Sequence, residues 1–334
     1  MTNYSLCNVF LWNKKVGTAA WDHERKNAFF EYDPKFKKLG LELAPLMMPL
    51  QGQNIYNFPY LSEETYQGLP GLLADSLPDY FGNQVINAYL LSHGRPENSF
   101  NAIEKLCYMG KRGMGALEFQ PALSRVRKAQ RIEVNELARL AAEILRDRKA
   151  FQASFDDKKS AFHDILQVGS SAGGARPKAV IAWNPETNEV YSGQVDAPAG
   201  FEHWLLKFDS VKDGKSYGRI EYAYYLMARA AGIVMNESRL LQDGDMAHFM
   251  TRRFDRVNGE KIHAQTLCAL AHLDYNNPLA NSYEQAFEVM EKLHLLPAEK
   301  SQMFRRMVFN AVNRNHDDHT KNISFLMKPD GVWH

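Results

Sequence analysis

The chain of 334 residues has few cysteines, almost no net charge and no long apolar run. Its three cysteines, Cys7, Cys107 and Cys268, lie far apart and form no CxxC pair, which argues against a disulfide framework and against a zinc finger. A net charge of +1 excludes a global attraction to nucleic acid or anionic lipid. Because about 18 consecutive apolar residues occur nowhere, we predict no contact with a membrane and expect a cytoplasmic protein.

The composition is that of a globular protein, with 45% hydrophobic and 24% charged residues, and the length suits about two domains. Short apolar runs broken by polar turns predict a small antiparallel sheet over residues 6–62. A helical stripe follows within 69–94, with Gly94 as a stop. We therefore predict an N-terminal β-rich and helical domain over 1–120, and a linker with an amphipathic helix over 121–158.

The second half of the chain shows an ordered series of elements. We predict first a strand over 164–168, a Gly/Ser-rich turn over 169–175, a strand over 179–183 and a strand over 204–208. A helix over 219–231 closed by Gly232 follows, then a hairpin of strands over 248–257 and 261–266 around Asn258-Gly259, and helices over 282–293 and 298–312.

The glycine-rich stretch GSSAGGARPK, residues 169–178, fits two interpretations. Glycines there let backbone N–H groups approach a phosphate closely. The stretch is neither a Walker A loop, because GK[ST] is missing, nor a dinucleotide fingerprint, because no helix follows. A tight glycine turn between two strands remains the alternative.

Two charged residues after this stretch also have two interpretations each. Lys207 interrupts the apolar strand WLLKF, and a buried lysine needs a partner because losing its hydration is costly. The alternative is a lysine on an edge strand that reaches solvent. Glu221 opens the next helix, where it either pairs with a cation or complements the helix dipole.

The stretch NRNHDDHTKNISF, residues 313–325, is the densest cluster of polar groups. Asp317 and Asn322 have the D-x-x-x-x-N spacing of a kinase catalytic loop, in which the aspartate accepts a hydroxyl proton and the asparagine oxygen binds magnesium. The alternatives are an ordinary polar turn and a metal site built from His316, Asp317, Asp318 and His319.

The order of these signals favours the kinase interpretation. A glycine-rich turn, a strand with a lysine, a helix with an early glutamate, a hairpin, helices and D-x-x-x-x-N follow one another as in protein kinases. The chain also resembles the HipA family of toxin kinases in SSAGGARPKAVIAW, WLLKF, IEYAYYLMARAAGI, RRFDR, NRNHDDHTKNISF and, near the N-terminus, GLPGLLADSLPDYFGNQVIN.

The resemblance implies an α+β fold in which the N-terminal β-rich and helical domain precedes a protein-kinase-like two-lobed domain. Residues 159–260 would form its first lobe and 261–334 the start of its second. This C-terminal lobe is expected to be truncated, because the magnesium-binding aspartate of a Tyr-Asp-like motif would follow a hairpin in which the chain ends. A catalytically inactive fragment that binds an antitoxin or its DNA complex is the alternative function.

The resemblance also implies roles for single residues in a serine/threonine kinase that uses ATP and Mg²⁺. Asp317 would be the catalytic base and Asn322 a magnesium ligand. Lys207 would contact the ATP phosphates and pair with Glu221. The turn over the phosphates would be formed by Gly173, Gly174 and Ala175, and the autophosphorylated serine would be Ser171, with Ser170 as the alternative.

Partners follow from the same resemblance. Family members phosphorylate aminoacyl-tRNA synthetases and are restrained by a HipB-like antitoxin with a helix-turn-helix. We therefore expect this chain to have a protein substrate and to bind a HipB-like antitoxin. Contact with DNA is expected only through that antitoxin.

Overall fold

The fold combines helices with four antiparallel sheets in the described part of the chain. The computed structural model describes residues 5–123, 131–146, 165, 176–193, 197–209, 216–257 and 259–334. This mixture agrees with the predicted α+β class.

The first sheet is built from the N-terminal strands, as the short apolar runs predicted. Its strands are β1 Leu6–Leu11, β2 Lys14–Asp22, β3 Asn27–Tyr32, β4 Ile55–Tyr56 and β5 Leu117–Gln120, in the spatial order β4-β3-β2-β1-β5. Trp12 and Asn13 connect β1 to β2 with φ values of 47° and 62°, as a two-residue hairpin turn requires. Alternate residues of β1 are fully buried, which places one face of this sheet on a core.

Helices complete the N-terminal region. They are α1 Pro34–Lys37, α2 Glu63–Tyr66, α3 Gly71–Ala74, α4 Tyr80–Ser92 and α5 Ala102–Met109. The predicted helical stripe lies on α4, where Phe81 and Val85 are fully buried, and Gly94 follows the helix with a φ of 69°. Asp79 begins α4 by accepting a hydrogen bond from the Gly82 backbone N–H at 3.3 Å.

The second sheet carries the predicted lysine strand. It consists of β6 Lys178–Trp183, β7 Val190–Ser192, β8 Glu202–Lys207, β9 Ser238–Asp243 and β10 Met246–Arg252, in the order β7-β6-β8-β10-β9. All its neighbours are antiparallel. Because β8 is the central strand, the interpretation of Lys207 as an edge lysine is wrong. Helix α7, Tyr217–Ala230, lies against β9 and β10.

Two predicted strands differ from the structure. Of residues 164–168 only Ile165 is described, and it is helical rather than extended. The hairpin at Gly259 exists, as β11 Arg256–Val257 paired with β12 Glu260–Lys261. The long strands predicted on either side of it do not pair with each other, because β10 joins the second sheet whereas β13, His263–Thr266, pairs with a strand from the end of the chain.

The last part of the chain forms helices and a hairpin. Helices α8 Leu267–Ala271, α9 Tyr283–Lys292 and α10 Pro297–Val312 precede β14 Ser324–Met327. Strand β14 pairs with β13, and the chain then turns back so that His334 exchanges backbone hydrogen bonds with Leu326 at 2.7 and 3.0 Å. The predicted helices over 282–293 and 298–312 are confirmed within one residue at each end.

Two hydrophobic cores cross the predicted domain boundaries. One core joins the first sheet to residues of the last part of the chain, among them Leu270, Phe325 and Met327. The other joins α4 and α6, Val134–Arg146, to the second sheet. The boundaries at 120, 158 and 260 remain predictions. The two cores contain residues from both sides of each boundary.

No helix within the described ranges is long and apolar enough to cross a membrane.

Candidate active site

Lys207 and Glu221 form an ion pair between the second sheet and helix α7. The Lys207 Nζ lies 2.5 Å from the Glu221 Oε2. Both side chains are partly exposed, at 35% and 24%. Helix α7 begins at Tyr217, two residues earlier than predicted, so Glu221 lies in the second turn. Pairing with a cation, and not stabilisation of the helix dipole, therefore accounts for this glutamate.

Asp209 holds helix α7 in the position that this pair requires. It lies two residues after the end of β8, and its carboxylate accepts hydrogen bonds from the Ser216 hydroxyl at 3.0 Å and from the Gly218 N–H at 3.2 Å. A third hydrogen bond comes from the N–H of Ala247 in β10 at 3.3 Å. A side chain at Gly218 would collide with the Ala247 carbonyl oxygen, so glycine lets the helix approach the sheet closely.

The polar loop after α10 is folded by its own side chains. Arg314 takes a φ of 51°, which ends the helix, and the Asp317 N–H donates to the Asn315 Oδ1 at 3.1 Å. The Tyr283 hydroxyl donates to the Asp318 Oδ2 at 2.7 Å. Burial raises the pKa of Tyr283 to about 12, which keeps this hydroxyl a donor at neutral pH.

Asp317 and Asn322 lie at the two ends of one short turn. The Asn322 Nδ2 donates to the Asp317 carbonyl oxygen at 2.5 Å, which leaves the amide oxygen available for a cation. The Asp317 carboxylate is 88% exposed and lies 3.4 Å from the His319 Nε2. An amide oxygen is a ligand type that magnesium accepts, so Asn322 fits the role expected of it.

The alternative metal cage is not formed by the four residues considered for it. Asp318 is engaged by Tyr283 and Asp317 faces His319. In the described ranges no group of three or more His, Cys, Asp or Glu side chains is arranged to hold a metal ion.

The predicted phosphate turn lies outside the described residues. This applies to Gly173, Gly174, Ala175 and both candidate autophosphorylation sites, Ser170 and Ser171. The described chain resumes at Arg176, whose guanidinium lies 3.8 Å from the Glu221 Oε1 and 4.2 Å from the ring centroid of Tyr217.

Residues that the sequence analysis did not single out connect the second sheet to the polar loop. Lys178 pairs with Asp79 at 3.6 Å, and both side chains are buried. Burial raises the pKa of Asp79, while the charges of Lys178 and of Lys321 in the polar loop lower it. Lys207 and Glu221 in turn act on the pKa of Lys178. The charges of Lys207, Glu221 and Lys321 therefore all act on the Lys178–Asp79 pair. The only sequence signals for it were an aspartate before a helix and a lysine opening an apolar strand.

A second buried cluster fixes the chain after β10. The Asp255 carboxylate is fully buried and accepts hydrogen bonds from Arg253 at 2.6 and 2.8 Å and from Arg256 at 2.9 Å. It also accepts the Gly115 N–H of the N-terminal region at 2.6 Å. The arginines hold the pKa of Asp255 at about 2, well below its usual value, although burial opposes them. These residues belong to the stretch RRFDR, residues 252–256, whose sequence alone predicts no role for them.

Comparisons with known proteins agree with this architecture. The family model of the HipA N-terminal domain matches residues 7–120, and that of the HipA-like C-terminal domain matches residues 170–334. Together they cover most of the chain. This chain belongs to the HipA family. Among the curated proteins, none matches it.

A solved structure shows the same fold. A chain from the toxin–antitoxin complex of Shewanella oneidensis MR-1, which contains HipA, HipB and operator DNA, is 18% identical with a TM-score of 0.65. The match covers 98% of this chain and 74% of that one. The HipA fold therefore accounts for the sheet with Lys207 and for the N-terminal region that packs against it.

Proposed function

We propose that this HipA-family chain is a serine/threonine protein kinase that transfers the γ-phosphoryl group of ATP to a hydroxyl of a target protein. The observation that supports this most directly is the ion pair of Lys207 with Glu221 at 2.5 Å, between a central strand and the helix beside it. Kinases use such a pair to hold the lysine where it contacts the ATP phosphates.

The loop of Asp317 would supply the catalytic base. In the proposed reaction the oxygen of the target hydroxyl bonds to the γ-phosphorus of ATP, and the exposed carboxylate accepts the proton of that hydroxyl. The bond between the γ-phosphorus and the oxygen that bridges to the β-phosphate breaks, and ADP leaves. Asn322 would bind magnesium together with the phosphates, and the ion would neutralise the charge of the phosphates. Positioning and charge neutralisation then account for most of the rate.

The glycine-rich stretch would cover the phosphates through Gly173, Gly174 and Ala175. We propose autophosphorylation at Ser171, with Ser170 as the adjacent alternative. A phosphate dianion there would occupy the N–H donors that bind nucleotide, which gives a physical reason for self-inactivation.

The proposed partners follow from the family. The Shewanella complex contains HipB and operator DNA, which supports a HipB-like helix-turn-helix antitoxin as the partner of this chain. The antitoxin, and not this chain, would bind the DNA. The proposed substrate class is an aminoacyl-tRNA synthetase, by family resemblance alone.

The test uses two substitutions. Titration calorimetry with ATP and magnesium should show binding to the wild-type protein that disappears in Lys207→Ala. Incubation with radiolabelled ATP should label the wild-type protein, whereas Asp317→Asn should bind ATP normally and remain unlabelled. An exposed lysine, Lys14, supplies the matched control: Lys14→Ala should bind ATP as the wild type does.

The two results separate the kinase from a second candidate, a kinase-like module that binds an antitoxin without phosphoryl transfer. The high exposure of the Asp317 carboxylate, whose described contact is His319, favours this candidate. ATP binding without labelling, together with stable complex formation with an antitoxin, would support it. Labelling that persists in Asp317→Asn would refute the role assigned to this aspartate.

A further inference from the structure

A buried ion pair connects the N-terminal region to the second sheet. The Lys178 Nζ at the start of β6 lies 3.6 Å from the Asp79 Oδ2 at the start of α4. The side chains are only 4% and 10% exposed. The other oxygen of Asp79 caps α4 through the Gly82 N–H. One carboxylate thus holds the helix and faces the lysine at the same time.

This pair is a poor device for stability alone. Removing both charges from water is costly, and the attraction offsets that cost only with good hydrogen-bond geometry. The Asp79 Oδ2 has no hydrogen-bond partner among the described residues, and its distance to Lys178 exceeds that of a hydrogen bond. Burial lowers the pKa of Lys178 to about 8 and raises the pKa of Asp79. A lysine kept charged at such a cost is more readily explained by an anion that it binds.

The position of Lys178 indicates which anion this is. In the register of β6 and β8, Lys178 lies directly opposite Lys207. The two lysines therefore lie side by side on adjacent strands, and Lys178 is the last residue of the glycine-rich stretch 169–178. Lys207 pairs with Glu221 from α7, and Lys178 pairs with Asp79 from α4. A pair of adjacent cations is suited to an anion with several charges, such as a triphosphate.

We propose that Asp79 is a positioning residue that keeps Lys178 charged and directed beside Lys207 for contact with the phosphates of ATP. The N-terminal domain would then set the affinity of the kinase-like domain for nucleotide. This inference rests on the nucleotide site proposed above.

A double-mutant cycle tests the proposal on the 334-residue protein. Calorimetric titration of magnesium-ATP is carried out on the wild type, Asp79→Asn, Lys178→Met and the double variant. Asparagine retains the oxygen that caps α4 and removes only the charge. Each single substitution should weaken ATP binding about tenfold, as expected for about one unit of altered protonation or one lost charge contact. Because Asp79 acts through Lys178, the double variant should bind no more weakly than Lys178→Met.

The pH dependence supplies a measurement that a purely structural role would not alter. Lys178 faces Asp79 on α4, Lys207 on β8 and Glu221 on α7, and Asp79 also faces Lys321 in the polar loop. The charged lysine favours ATP, so the affinity of the wild type should fall as pH rises through about 8. In Asp79→Asn the carboxylate that raises the pKa of Lys178 is absent, and the fall should begin at lower pH.

The control is Asp33→Asn, in which an aspartate of the same region caps α1 by accepting the Lys35 N–H at 2.8 Å. It should bind ATP as the wild type does. Additive effects in the cycle, or an ATP affinity of Asp79→Asn within twofold of that of the control, would overturn the role of Asp79. The nucleotide site itself would still be supported if ATP binding is lost in Lys207→Ala. Absence of any ATP binding would overturn both. If Asp79→Asn does not fold, the wild-type profile decides, because a constant affinity from pH 7 to 9 contradicts the proposal.

Discussion

Replacing Asp255 with alanine should destabilise the protein more than any surface substitution. The Asp255 carboxylate is completely buried and accepts four hydrogen bonds within the described part of the chain, three from Arg253 and Arg256 and one from the Gly115 N–H. The two guanidinium groups are only 1% and 6% exposed. Alanine leaves both charges buried beside an empty space, which should cost about 3–5 kcal/mol.

The pKa of Asp255 gives an independent magnitude for the same carboxylate. Its value of about 2 in the folded protein lies below the ordinary value of 3.8. The difference corresponds to about 2 kcal/mol of stability at neutral pH. Because the folded pKa is the lower one, this stability is fully present above pH 3.8 and is lost as the pH falls towards 2. The alanine variant should lack that part of the acid sensitivity.

Urea denaturation followed by circular dichroism measures both effects. The matched control is Asp245→Ala, which removes an exposed aspartate, and its unfolding midpoint should stay unchanged. A loss for Asp255→Ala of less than about 1 kcal/mol, the usual contribution of an exposed pair, would refute the reasoning. The reasoning would also be refuted if the wild type and Asp255→Ala lost the same amount of stability between pH 4 and 2.

Three further predictions concern single side chains. Gly218→Ala should move α7 away from β10, displace Glu221 and so weaken ATP binding, which calorimetry measures. The control is Gly113→Ala, where an added Cβ meets no atom within 4 Å, and its ATP affinity should equal that of the wild type. Burial lowers the pKa of His263 to about 4 in the folded protein, so His263 binds a proton more readily in the unfolded chain. The stability of the wild type should therefore fall as the pH drops from 6.5 towards 4. His263→Phe should abolish up to about 3 kcal/mol of that fall in urea titrations at several pH values. Tyr283→Phe removes the hydrogen bond to the polar loop and should cost about 1 kcal/mol in the same assay, and an unchanged midpoint would contradict that role.

Several elements were predictable because their signals are local. Gly94 and Gly232 follow helices with φ values of 69° and 78°, a conformation that glycine adopts without strain. The helices at 283–292 and 297–312 follow from apolar spacing of 3.6 residues. The spacing of Asp317 and Asn322 defines a turn in which the second side chain reaches the carbonyl oxygen of the first.

Other elements were not predictable because their partners lie far away in sequence. The apolar residues of 248–266 resembled two paired strands, but β10 and β13 join different sheets once Asp255 is buried between them. Ile165 lies in a short stretch whose pattern fits a strand or a helix, and it is buried in the second core.

The sequence by itself determined the family, most of the helices and strands, and the residues proposed for catalysis, since short motifs and local backbone preferences encode them. Only the tertiary structure decided which charges meet. Lys207 with Glu221, Lys178 with Asp79, and Asp255 with Arg253 and Gly115 are contacts whose energy depends on burial and distance. Those two quantities exist only after the chain has packed its two cores.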